Sequence, residues 1–280
     1  MGVSVLPFHG WLTLREPADA SARSEELVEF VRPALPPGRV VVHDLGCGTG
    51  SMARWLAPLL AAPQHWVLYD RDDTLLRLAD ARPLGRSSEG GPVTVETRRR
   101  EVTRLRPGEL SGADLVTASA LLDMFTAAEL DRFVATCVGA GCPTLVALSV
   151  TGRVELTPAD PFDARVGDAF NAHQQRTTDR GRLLGPTAFG AAVAAFTKAG
   201  ADVTTRPAPW RLGPSEAALV AEWFAGWVGA AVEQRPELAA QANPYVERRL
   251  AQAAAGRLSV TVHHEDLLAR PTSHATSSPW

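Results

Sequence analysis

The 280-residue chain has almost no lysine. Lys198 is the only one among 28 basic residues, and the rest are arginines. It also lacks net charge of either sign in quantity, at −3. Without a general basic field a nucleic-acid partner is not favoured, and the run Arg98-Arg99-Arg100 reads as a solvated strand end. Cysteine is scarce. Cys47, Cys137 and Cys142 are odd in number and form no C-x-x-C pair, which fits a reduced, cytoplasmic protein. Long apolar runs are missing too. The N-terminus "MGVSVLPFHGWLTLREPADASARSEEL" has no basic start followed by an apolar stretch, so no signal peptide and no membrane span are expected. No internal repeat is present. What remains is an ordinary globular composition, 45% hydrophobic and 21% charged, long enough for one domain with additions.

Alternation is the first positive signal. Residues 39–45, 65–70, 91–98, 112–120 and 142–150 read as strands, and 51–60, 73–81 and a stretch from Thr126 as helices. Thr126 and Glu129 stand three apart before an apolar run, a capping-box pattern. Residues 20–33 read as an earlier helix. Strands alternating with helices predict an α/β, doubly wound sheet. The second half is less regular. Helices are expected at 160–177 and 186–199 and strands at 201–207 and 256–268. Two further helices fall within 215–255, broken near Pro236 or Pro244.

The stretch "VVVHDLGCGTG" (40–50) ends a strand on Asp44 and then gives up side chains at Gly46, Gly48 and Gly50. Bare glycines let a ligand lie against the backbone, and the following helix offers free N–H donors. Asp70, at the end of the second strand, can accept the hydroxyls of a ribose. The ligand therefore has an adenosine-like part. Dinucleotide binders favour G-x-G-x-x-G. Here the spacing is G-x-G-x-G, Ser51 takes the third dinucleotide position, and Asp44 precedes the loop. An acid there suits the ammonium of an amino-acid moiety better than a diphosphate, which favours S-adenosylmethionine over NAD.

"VVVHDLGCGTGS" with "WVLYD" resembles the first two motifs of class I S-adenosylmethionine-dependent methyltransferases. The likeness covers roughly residues 39–150 and implies a seven-stranded, Rossmann-like methyltransferase fold. It implies that Asp44, Gly46, Cys47, Gly48 and Gly50 meet the methionine part of S-adenosyl-L-methionine, with S-adenosyl-L-homocysteine as product. By the same resemblance Asp70 holds the ribose, Arg71 flanks the adenine, Glu101 and Val102 meet its edge, and Ser119 lies near the methionine moiety. Arg15 and Arg23 read first as solvated charges, with the cofactor carboxylate as a second reading. Cys47 reads as a small residue rather than a nucleophile.

Residues acting on the acceptor are harder to read, because methyl transfer from a sulfonium needs positioning more than acid–base chemistry. "DAFNAHQQRTTDRGRLLGP" (168–186) follows the fifth strand and is rich in polar groups. His173 suits a general base, and Asn171 and Arg176 suit substrate contacts, against the plainer reading of an exposed polar helix. Asp123 is the second catalytic candidate, since Thr126 already serves as the cap; it reads equally as orienting the acceptor or as beginning a turn. Trp223 and Trp227 share a helix face and read either as core or as a wall over the substrate, with Trp210 beside them. His263 and His264 are adjacent and would point to opposite faces of a strand, so no metal site is expected.

The expected organisation is an N-terminal helical cap over 1–38, the methyltransferase domain over 39–270 with a helical cap insertion at about 215–255, and a disordered tail over 271–280. The expected activity is methylation of a small molecule in bacterial specialised metabolism. An actinobacterial source fits the arginine bias. The partners expected are the small-molecule substrate alone, with no nucleic acid and no membrane, in a monomer or homodimer. The alternative is a protein of the same fold that binds S-adenosylmethionine for a non-methylating reaction or for regulation.

Overall fold

The computed structural model describes residues 6–272. It opens with two helices, α1 (Phe8–Ala22) and α2 (Glu25–Val31). The single helix expected over 20–33 is divided, because Ser24 is extended and its side chain accepts the Leu27 N–H, which starts α2 afresh. α1 itself was not anticipated. It contains Pro17 and its apolar residues form no clean stripe, so its position comes from tertiary contacts.

The alternating region then runs β1 (Val40–Leu45), α3 (Ser51–Leu56), β2 (Gln64–Asp70), α4 (Asp73–Asp80), β3 (Val93–Arg99), β4 (Leu115–Ser119), α5 (Ala127–Gly139) and β5 (Thr144–Thr157). Local signals place these elements. Asp72 caps α4 by accepting the Thr74 and Leu75 N–H groups. The Thr126–Glu129 box is formed in both directions at the start of α5. The rest comprises α6 (Phe162–Gln174), the two-residue strands β6 (Thr177–Thr178) and β7 (Gly181–Arg182), α7 (Ala188–Lys198), β8 (Ala201–Pro207) and β9 (Trp210–Leu212). It ends with α8 (Ala217–Gln234), α9 (Ala239–Ala254) and β10 (Ser259–Pro271). The break between α8 and α9 falls at Pro236, while Pro244 is accommodated inside α9.

The sheet order is β3-β2-β1-β4-β5-β10-β8, with β9 added on β10. Neighbours from β3 to β5 are parallel, and β10 runs antiparallel between β5 and β8. This is the doubly wound α/β sheet expected, with β9 as an extra strand. Side chains alternate between its faces. Val67 and Tyr69 of β2 enter the core shared with α5 and α7, and Trp66 and Leu68 enter the core shared with α2 and α3. The order reverses at β1 and β4, and in such sheets ligands bind beyond the C-terminal strand ends at that point.

Two expectations need correction. The fifth strand does not stop at 150 but continues to Thr157, pairing with β10 as an antiparallel ribbon that reaches Ser259. On that ribbon α6, α8 and α9 build a third core around Phe162, Val166, Phe224, Trp227 and Tyr245. A fully buried Arg249 sits there, its Nη2 2.5 Å from Asp163 Oδ1. Second, Pro271 is not in a disordered tail, since it pairs with Ala201 in the last strand; residues 273–280 of that tail lie outside the described residues. No helix among the described residues is long and apolar enough to cross a membrane.

Candidate functional site

The glycine loop is fixed by its own backbone. Cys47 N–H donates to Tyr69 O at 2.9 Å and Gly50 N–H to Cys47 O at 2.8 Å. Gly46 and Gly48 have φ of +70° and +55°, the left-handed region that glycine enters without a Cβ penalty. A Cβ on Gly46 would stand 3.0 Å from Leu121, and one on Gly48 3.3 Å from Leu12 of α1. The loop is therefore pressed between the turn after β4 and the N-terminal helix. Gly50 does a different job, as the left-handed residue that starts α3.

Asp44 is fully buried at the end of β1. Its Oδ1 accepts the Thr117 hydroxyl at 2.7 Å, and its Oδ2 has no partner among the described residues. Burial pushes this carboxyl up to about 6, with the Thr117 hydrogen bond and the Arg23 charge opposing. Asp70, one strand over, accepts Gly48 N–H on Oδ2 and Asp72 N–H on Oδ1, each at 2.9 Å. Those bonds aim its carboxylate along the loop.

These elements enclose a cleft of about 550 Å³ at the C-terminal strand ends. Asp44, Gly46, Cys47 and Gly48 form its floor. Asp70, Arg71, Glu101 and Val102 form one end, with Arg71 3.7 Å from Glu101. Ser119 and Asp123 stand towards the other. Burial drives the Cys47 thiol well above its ordinary value, helped by Asp44 and Asp70, so it stays a protonated small side chain. Asp123 is half-buried, and burial pushes its carboxyl up to about 6 against its own backbone N–H and the more distant Arg15 and Arg176.

Sequence reading missed the contribution of α1. Phe8, Leu12, Arg15 and Asp19 all face the cleft. Arg15 is not a solvated charge: it binds Asp19 through two nitrogens, its Nε 2.9 Å from Oδ2, and lies 4.9 Å over the Trp210 ring. Trp210 Nε1 donates to the same Asp19 at 3.0 Å. Arg23 is also buried, and its Nη2 donates to Ser51 Oγ and Ser119 Oγ at 3.1 Å each. The only trace of this in the sequence is the Arg15/Asp19 spacing of four, which any solvated helix could carry.

The other candidates lie elsewhere. His173 is outside the cleft lining, with Nε2 3.4 Å from Glu233. Asn171 Nδ2 donates to Gly152 O at 2.9 Å, and Arg176 Nη1 to His173 O at 3.1 Å. Trp223 and Trp227 stack at 5.2 Å within the third core, where Trp227 is buried. None of the five lines the cleft: Asn171 and His173 lie on α6, Arg176 just after it, and Trp223 and Trp227 on α8, all in the layer set on the length of β5 beyond Val150. His264 is buried against Trp210 at 5.3 Å and held at about 3 by burial, while His263 Nε2 lies 3.5 Å from Glu155.

Residues 42–141 match the family model described as a methyltransferase domain. No protein of curated function matches the sequence. Among solved structures, a proposed type II methyltransferase from Anaeromyxobacter dehalogenans is 18% identical with a TM-score of 0.51, covering 90% of this chain and 99% of its own. A cyclopropane synthase from Mycobacterium tuberculosis is 12% identical with a TM-score of 0.47, covering 96% of this chain and 100% of its own. The glycine loop and the strands that carry it thus belong to a methyltransferase domain, set on the class I methyltransferase fold.

Proposed function

We propose that the protein transfers a methyl group from S-adenosylmethionine to a small-molecule acceptor. The observation that carries this reading is the cleft floor: two left-handed glycines beside a buried carboxylate oxygen with no partner among the described residues. An unsatisfied buried oxygen is costly, and an ammonium group in the cleft would satisfy it. A Cβ at Gly46 or Gly48 would press on Leu121 or Leu12, so the loop presents bare backbone to the cleft. The residues present therefore fit the amino-acid and adenosine parts of this cofactor.

Asp44 takes the ammonium end, and Gly46, Gly48 and Ser119 lie along the methionine part. Asp70 accepts the ribose hydroxyls, and Glu101, Val102 and Arg71 flank the adenine. When bound, the cofactor supplies a methyl group on a good leaving group, so positioning of the acceptor does much of the acceleration. Asp123 receives a proton from the acceptor where one must be lost, its raised pKa placing it nearer neutrality than an ordinary aspartate.

The cleft volume lies in the range of small-molecule sites, and the net charge of −3 gives no field for nucleic acid. We place the enzyme in a reducing, cytoplasmic setting on its three buried free cysteines, and in specialised metabolism by analogy. The helices before residue 39 serve as its cap. Parallel calorimetric titrations with S-adenosylmethionine, S-adenosylhomocysteine and NAD test the reading. Binding of the first two alone is expected; binding of NAD alone would overturn it.

A further inference from the structure

The two ends of the cleft differ in chemistry. The end built by Asp70 and Glu101 is polar. The lining that follows Ser119 in the chain, Leu121, Met124 and Phe125, is apolar, and Phe8 of α1 lines the same cleft. Phe8 is 61% exposed and Met124 44%, and with Leu6 they make up three of the four exposed large apolar side chains among the described residues. An apolar lip of this kind marks a surface that meets an apolar partner.

The two arginines that line the cleft beside that lip are both engaged. Arg15 is held by Asp19. Arg180 gives Nη1 to Glu129 at 3.0 Å and Nη2 to Met124 O at 3.3 Å. Asp123 forms no ion pair among the described residues, and its hydrogen bond comes from its own backbone. The acceptor end thus offers an apolar wall and one unmatched carboxyl.

We propose that this end of the cleft takes an amphiphilic amine, its apolar body along Phe8 and Met124 and its protonated nitrogen on Asp123. The inference rests on the methyltransferase reading and names its acceptor class. An anionic acceptor would bring a second negative charge to Asp123 while both cleft arginines beside it are engaged. An alcohol would leave that charge without a counter-ion, whereas an ammonium gives it a charge-assisted hydrogen bond. The Asp123 carboxylate accepts one proton from the ammonium, leaving a carboxyl and a neutral amine whose lone pair is free for transfer.

The test compares octylamine, octanol and octanoate by calorimetric titration of the protein saturated with S-adenosylhomocysteine. Octylamine is expected to bind at least tenfold more tightly than either. Asp123→Asn should bring it down to the octanol value, with affinity for S-adenosylhomocysteine and thermal midpoint unchanged. Met124→Ser should weaken octylamine and octanol alike. Octanol or octanoate binding as tightly as the amine, no binding of any of the three, or an amine preference that survives Asp123→Asn would each overturn the proposal. Failure of the methyltransferase reading shows separately, as a wild-type protein that does not bind S-adenosylhomocysteine.

Discussion

The alternating region from β1 to α5 and the ribbon-and-helix layer built on β5 and β10 are held together in different ways. The first is organised by local signals. β-branched strands, the Asp72 cap and the Thr126–Glu129 box each specify their element without distant help. The second depends on long-range pairs. Arg249 meets Asp163 across 86 residues, and Tyr245 donates to the same carboxylate. The difference teaches where function sits. The cleft gathers at the strand ends of the locally specified half, with only α1 and Arg180 brought in from outside it.

Four substitutions break or sharpen that division. Arg249→Ala removes one partner of a buried ion pair and should cost about 3–5 kcal/mol of stability. Chemical denaturation checks this, and S-adenosylhomocysteine affinity of the folded protein should be unchanged. Gly48→Val forces a β-branched residue to φ +55° against Leu12, at roughly 1–2 kcal/mol of backbone strain. The larger consequence is lost cofactor affinity, expected to exceed about a hundredfold by titration, because the side chain enters the cleft that binding needs open.

Asp123→Asn removes the proposed proton acceptor and should lower turnover by about a hundredfold. Its carboxyl lies at about 6, above the ordinary aspartate value, so wild-type turnover should rise with pH through about 6 as the group ionises. The variant should lose that dependence on Asp123, which a pH–rate profile reads. His173→Ala should have the smallest effect, under about twofold in turnover, since the ring faces Glu233 outside the cleft. A larger loss in steady-state kinetics would join the two regions in catalysis.

How much was legible follows the same division. The glycine loop, Asp70, Glu101 and Ser119 could be read because each follows a strand end at a fixed place in a repeating pattern. α1 could not. Its cleft residues Phe8, Leu12, Arg15 and Asp19 lie on a helix interrupted by Pro17, and only contact with Trp210 and the glycine loop gives them a role. His173 and the tryptophans were placed near the cleft because the apolar pattern of the fifth strand ends at Val150, short of its true end at Thr157. Residues 151–157 are polar and exposed enough to read as loop, yet β10 pairs with them and lengthens the strand before α6.

The most direct measurement is amide hydrogen exchange with and without S-adenosylhomocysteine. The account predicts slowed exchange at residues 44–50, 70–72, 101–102 and 119–123, and along α1, with 214–254 unaffected. Protection confined to α8 and α9, with the glycine loop unchanged, would contradict it.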